Sequence, residues 1–327
     1  MRRFALHQHT NHRRSLPIAL LGVLLMTGVS LAATSTPAGA SPGSLSDIDV
    51  TAVTMGTNVI AALTVGGTIQ VEVVTCTGPA CDKHGWTSLG SGFKSVTVQY
   101  LTGARVVVIA RRDDGATWYK RGNCSGTACS WESWRNLGGA VINVLASNAT
   151  GCALLAGQTS TKRVYQAQVC GDSVQGWTYT GGQLSEIAND GYRVFGTSAS
   201  GQMWWYEYGE WRWAGGKVTQ PVWGLGYGEM CGLSDGARHL WCVDRYTNQW
   251  TYHGGSWRKL DDQKTIGIGQ AWDVWTNGQD YDRSSWGGKV NEVAWSEDFE
   301  LMVGVGSDYH PWYQTTAGGF AGGWRGL

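Results

Sequence analysis

From Asp47 to Val74 the chain alternates β-branched with small residues, and the alternation breaks at Met55-Gly56-Thr57-Asn58 and again at Gly66-Gly67. A period of two interrupted by glycine turns predicts short antiparallel strands, three of them before Trp86. The texture persists to the C-terminus. A second unit places strands at 96–100, 106–110 and 117–120 around the middle turn Asp113-Asp114-Gly115, and a third at 141–146, 152–156 and 163–170. The fourth has strands at 194–197 and 203–208, the fifth at 222–225, 230–233 and 239–243 with an outer segment at 250–257. The sixth is read at 265–269, 271–276 and 280–283, and the seventh at 290–295, 300–305 and 311–314 around Gly306-Ser307-Asp308. No helical apolar period is sustained, so the predicted class is all-β.

A tryptophan followed by a turn closes each unit. Trp134-Arg135-Asn136-Leu137-Gly138-Gly139 is the fullest version, and related marks begin at Trp86, Trp177, Trp211, Trp257, Trp286 and Trp324. Seven marks spaced 29 to 48 residues apart match a four-stranded propeller blade and exceed the short rungs of a β-helix. An aromatic with a glycine turn is expected where an outer strand ends and the chain crosses to the next inner strand. The predicted architecture is a seven-bladed β-propeller of four-stranded antiparallel blades, one domain over 41–327. The last mark ends with the chain, which suits a ring whose first and last blades touch. In such a blade the hairpin between strands two and three shares an end with the crossing, and the other two hairpins lie at the opposite end.

The segment before Ser41 carries a separate signal. Leu16 to Ala33 is an apolar run preceded by Arg2, Arg3, Arg13 and Arg14, with Ala38-Gly39-Ala40 behind it. It reads as a signal peptide over 1–40, which implies a secreted, extracellular protein with no membrane span after cleavage. A membrane anchor is the alternative, and Arg13-Arg14 leaves the export route open between the general secretory and twin-arginine systems. Without its four arginines the mature chain has a formal charge of −4. Phosphate recognition needs clustered Lys and Arg in excess, so nucleic acid is not an expected partner.

All eight cysteines fall in the mature part, as expected of a disulfide framework in an exported chain. Cys76 with Cys81 and Cys124 with Cys129 read as local clasps before their marks. Cys152 with Cys170 and Cys231 with Cys242 read as hairpin bridges. The alternative, a zinc site, requires ligand spacings that these cysteines and the single histidines do not offer, so no metal or cofactor is expected.

Hydrolytic chemistry in a propeller calls for paired carboxylates near the axis. Glu297, Asp298 and Glu300 form one acidic group and Asp280 with Asp282 another, both beside hairpin turns where solvated acids are common. No metalloprotease helix motif, nucleophile elbow or phosphate loop occurs, so an enzyme is not expected. Aromatic surface is what remains. A sugar packs its C–H face on an indole while its hydroxyls bond to a charged rim. Candidate rims precede third-strand aromatics at three middle turns: Arg112, Asp113 and Asp114 before Trp118-Tyr119; Asp235 and Arg238 before Trp241; and Asp308, Tyr309 and His310 before Trp312. The same rings also fit a second reading, as blade-packing residues.

Trp118-Tyr119, Trp205-Tyr206 and Trp312-Tyr313 in third strands, together with the seven marks, resemble the tectonin and PLL-like β-propeller lectins over nearly the whole mature chain. The repeats are degenerate, with Gly90 followed by Ser91 and Leu260 by two aspartates. The resemblance implies sugars bound in shallow pockets between adjacent blades, against aromatic rings. The leader and the free-standing propeller also resemble the lectin subunit of actinobacterial umbrella toxin particles, which would add other subunits of a secreted complex as partners. The expected function is non-enzymatic binding of cell-surface glycans through several weak sites acting by avidity. A structural adaptor gripping a protein partner is the alternative, and an inactive relative of a propeller glycosidase a third.

Overall fold

The computed structural model describes residues 42–54, 56–224, 228–260, 266–269, 274–277, 283–287, 289–296, 301–315 and 323–327. The leader 1–40 and the acids Asp280, Asp282, Glu297, Asp298 and Glu300 lie outside them. The period-two segments form seven antiparallel sheets, each laid down in order from its first strand to its last. Blade one runs through Leu45–Thr54, Thr57–Thr64 and Ile69–Thr77 to an outer strand in two pieces, Ala80–Lys83 and Thr87–Gly90. Blade two repeats this with Ser95–Tyr100, Arg105–Arg111, Thr117–Ser125 and the pieces Ala128–Trp131 and Arg135–Gly138. The inner strands of blades three to seven are Asn143–Ala149, Glu186–Asn189, Thr219–Trp223, Trp257–Leu260 and Val290–Trp295. Their third strands are Arg163–Cys170, Met203–Glu207, Leu240–Asp244, Val274–Asn277 and Pro311–Thr315, and their outer strands Val174–Gln183, Glu210–Gly215, Gln249–Gly254, Arg283–Gly287 and Arg325–Gly326.

A single sheet buries only what it lays against a neighbour, and the core is divided accordingly. The described residues form seven hydrophobic clusters, one at each junction between consecutive blades. The cluster joining blades seven and one sets Leu45, Ile48 and Val50 against Ala294, Leu301, Val303 and Tyr313.

The repeat marks gain a physical meaning here. The mark tryptophan faces the preceding blade, and its indole N–H donates to a carbonyl in that blade's mark. Trp134 donates to Leu89 at 2.6 Å, Trp177 to Gly138 at 3.2 Å, Trp211 to Thr180 at 3.0 Å and Trp250 to Ala214 at 2.9 Å. A Cβ on Gly139 would stand 2.8 Å from the Trp177 indole, and one on Gly216 would stand 2.3 Å from that of Trp250. Gly139, Gly182 and Gly216 are therefore needed as glycines because the next mark's tryptophan lies on them.

This register corrects four sequence expectations. The fifth mark is Trp250, whereas Trp257 opens the inner strand of blade six and is almost fully buried. Residues 265–269, expected as the first strand of blade six, give its second strand, Ile266–Gly269. In blade four the equivalent of Trp118 and Trp312 is Trp204: it opposes Gly196, as Trp118 opposes Ala110 and Trp312 opposes Gly304. Trp205 points to the other face of the sheet, into the blade four–five core. The mark also lies at the start of an outer strand or at a break within it, since the residues after Trp134 still pair with Trp118 and Tyr119.

A second device joins the blades. Each described middle turn ends on a residue in the left-handed region, and that residue's carbonyl accepts the N–H of the first buried residue of the next blade. The donors Phe93, Val141, Leu184, Val218 and Trp257 reach Gly67, Gly115, Lys162, Gly201 and Arg238, and Leu45 reaches Tyr309 by the same bond. Blade seven is thus joined to blade one as every described neighbour pair is, although no strand is exchanged between them. All four expected disulfides are present, Cys76–Cys81, Cys124–Cys129, Cys152–Cys170 and Cys231–Cys242, each between directly opposed residues of one hairpin. No helix among the described residues is long and apolar enough to cross a membrane.

Deleting Trp324 to Leu327 removes an indole from the blade six–seven core and the Lys83 Nζ to Gly326 carbonyl bond to blade one. The protein lacking these four residues is expected to lose at least about 3 kcal/mol of stability, read as a lower Tm by calorimetry. Melting at the full-length temperature would show that the last strand does not secure the junction.

Candidate functional site

The third-strand rings Trp118, Trp204 and Trp241 face the preceding blade beside the mark tryptophans Trp134, Trp211 and Trp250, and Trp312 stands beside Trp324, so these blades have the makings of an aromatic groove at their turn-bearing end. What differs is the residue where the second strand enters the middle turn. Its backbone N–H bonds across the turn in every described case, and the position holds Thr64, Arg112, Thr159, Ser198, Ser234 and Gly306 in blades one to five and seven.

In blade two this position fills the groove. The Arg112 guanidinium lies 4.5 Å from the centre of the Trp118 ring and 5.3 Å from that of Phe93, and Phe93 packs on Trp134 at 4.8 Å. Asp113 pairs with Lys94 at 3.5 Å, and Asp114 accepts the Ala116 N–H within the turn. Tyr119 is buried on the opposite face of the strand, in the core between blades two and three. In blade five Arg238 is turned to the backbone, its Nε donating to the Trp257 carbonyl at 2.7 Å and its Nη2 to that of Arg258. Asp235 is exposed in the turn, and Trp241 packs on Tyr252 with ring centres 5.0 Å apart.

In blade seven the groove is open. Gly306 stands where blade two has Arg112, and a Cβ there would meet the Asp308 carboxylate at 2.5 Å and the Trp312 indole at 2.7 Å. The space is a cleft of ≈ 270 Å³ walled by Trp312, Trp324 and Val290, with Asp308, Ser307 and Lys289 at its edge. Asp308 accepts the His310 N–H at 3.1 Å and the Trp312 indole N–H at 3.4 Å. Those bonds, the His310 N–H foremost, hold its carboxyl below the usual range and keep it ionised near neutrality. The ring and the acceptor are therefore fixed to each other. Tyr309 is exposed beside the cleft, its carbonyl engaged by Leu45.

Sequence reasoning placed Asp308 and Trp312 together but treated Trp324 only as a repeat mark and passed over Lys289, Val290, Gly306 and Ser307. The missing side chain at Gly306, set against Arg112 in the aligned turn, was the available signal.

A polar cavity lies on the axis. Inner strands are sheet edges, and their N–H groups are met by side chains of the preceding blade. Asp47 accepts from Val96 at 3.2 Å, Asp49 from Val98 at 2.8 Å, Thr51 from Tyr100 at 2.8 Å, Glu186 from Gln220 at 2.6 Å and Gln220 from Leu260 at 3.0 Å. Asp47, Asp49, Asn143, Asn189 and Glu292 border a space of ≈ 140 Å³, and Lys259 pairs with Glu292. Enclosure, and then the Glu292 carboxylate, push the Asp47 carboxyl up to about 8. Among the described residues no group of three or more His, Cys, Asp and Glu is arranged to hold a metal ion.

No family model and no curated protein matches the chain. Among solved structures, a chain of a mitotic checkpoint complex is 11% identical, covers 83% of this chain and 88% of its own, and has a TM-score of 0.50. The fucose-specific lectin from Aleuria aurantia is 12% identical over 87% of this chain and 96% of its own, TM-score 0.48. AofleA from Arthrobotrys oligospora is 11% identical over 87% and 86%, TM-score 0.47. Identities this low speak of fold alone.

An Asp47 that ionises near pH 8 when folded and near its ordinary 3.8 when unfolded makes the unfolded chain the better proton donor between those values. Stability is highest on the acid side of that window and falls as pH rises through it. Melting curves from pH 5 to 9 should therefore decline in the wild type and decline less in Asp47→Asn, whose amide oxygen can still accept from Val96. Parallel curves for the two proteins would contradict the assignment.

Proposed function

We propose that this protein is a secreted, non-enzymatic glycan-binding propeller, and that the blade-seven cleft walled by Trp312 and Trp324 holds the sugar. One observation carries the reading: two tryptophans and an ionised aspartate converge on a groove from which Gly306 has removed the filling side chain. An indole face offers the apolar half of a sugar its contact, and Asp308, Ser307 and Lys289 offer hydroxyl groups both acceptor and donor. A space of ≈ 270 Å³ falls just below the range of drug-sized pockets, roughly 300–1,000 Å³, and suits one sugar ring reached from the surface. Four disulfides accord with an oxidising, extracellular setting. Within a larger secreted assembly, such a propeller would supply the recognition of a cell surface.

Binding of the mature protein to a glycan array tests the reading, and a blank array from folded protein would turn it towards the adaptor alternative. On beads bearing a glycan selected in that way, Trp312→Ala should lose about 1.5–3 kcal/mol of binding while its circular dichroism stays native. Gly306→Arg should fill the cleft as Arg112 fills that of blade two and abolish retention. A folded Gly306→Arg protein that binds like the wild type would place the site elsewhere.

A further inference from the structure

The opposite end of the molecule, where the first and third hairpins of each blade lie, carries a larger cavity of ≈ 440 Å³. Its floor is ionic. Asp190 is buried and accepts from the Tyr192 N–H, the Arg193 N–H and the Arg193 guanidinium. Glu207 takes Arg245 Nη1 at 2.5 Å, with Arg212 at 3.8 Å and Arg193 at 3.9 Å. Three guanidinium groups thus face two carboxylates, a net charge of +1. Asp190 holds Arg193, Glu207 and the Tyr246 hydroxyl hold Arg245, and both arginine side chains line the cavity. With one more guanidinium than carboxylate at its floor, the cavity favours a ligand group that carries negative charge.

The rim is aromatic. Tyr208 is 89% exposed and Tyr192 60% exposed, and Tyr206 completes the wall. Tyr208 and Gly209 both hold positive φ, 52° and 86°, so a tight hairpin lifts a ring into solvent where packing gives it no task. Below the ring Arg193 is 8% exposed and Arg245 15% exposed, held by their acids in fixed orientations. A cavity of this size exceeds a simple inorganic anion, and exposed rings over a cationic floor suit a ligand with one apolar face and one acidic group.

We propose that this cavity is a second binding site, for a carboxylate-bearing saccharide such as a uronic acid, whose carboxylate meets the Arg193 and Arg245 guanidinium groups while its ring lies against Tyr208 and Tyr192. It shares no residue with the blade-seven cleft and stands or falls independently of it.

Calorimetric titration of the mature protein with D-glucuronate and D-galacturonate, and with D-glucose and D-galactose as neutral counterparts, tests the assignment. At least one uronate should bind about tenfold or more tightly than its neutral counterpart. Arg245→Gln and, separately, Tyr208→Ala should each weaken uronate binding by about tenfold, and Trp312→Ala should leave it unchanged. Tyr208 is exposed enough that its replacement tests the site even if Arg245→Gln fails to fold. Equal binding of acid and neutral sugars, no uronate binding, competition by sodium acetate at equal concentration, or an unaltered Tyr208→Ala protein would each overturn the proposal.

Discussion

The structure depends on a contact that no blade can make within itself, the indole of one mark laid on the glycine of the mark before it. Four such indoles donate to carbonyls of the preceding blade, and at Gly139 and Gly216 a side chain of any size would collide with the ring. Tryptophan supplies buried area and a directed N–H together, so each junction gains both packing and register from one residue. The left-handed turn carbonyls add a second tie at the same end of the described junctions. Three of these positions are Lys162, Arg238 and Tyr309, where a left-handed conformation costs roughly 1 to 2 kcal/mol per residue and the bond to the next blade offsets it.

The grooves follow from that construction. Since Trp118, Trp204, Trp241 and Trp312 lie beside the mark tryptophans of their blades, a fissure lined with rings exists there before any ligand is considered. Whether it is open depends on the residue entering the middle turn. Arg112 closes one by lying between Phe93 and Trp118, and Gly306 leaves another clear. One position thus distinguishes the filled groove of blade two from the open one of blade seven, and a ring of repeats need not have a ring of equal sites.

Much of this was legible in the sequence because both halves of the main contact are written there. The marks gave the blade count and the spacing, and cysteine positions within predicted hairpins gave the four pairings. The errors came where tryptophans crowd. Trp250-Thr251-Tyr252-His253-Gly254-Gly255 repeats Trp177-Thr178-Tyr179-Thr180-Gly181-Gly182 almost residue for residue, yet Trp257 also precedes a leucine three residues on and took its place in the reading. Trp204-Trp205-Tyr206 offers two frames, and only the pairing with Gly196 selects one. The cavity around Glu207 had no local signature, since Gln166, Arg193, Glu207 and Arg245 come from three blades and meet only after folding.

Trp134, Trp177, Trp211 and Trp250 tie blades together through their indole N–H groups, whereas Trp312 and the cleft-facing part of Trp324 wall the blade-seven cleft. Indole ¹⁵N–¹H resonances report on each separately, so titrating the labelled mature protein with a glycan retained on an array tests that division directly. The Trp312 and Trp324 signals should move together with ligand while those of Trp134, Trp177, Trp211 and Trp250 stay in place. Static Trp312 and Trp324 signals beside moving junction indoles would contradict it.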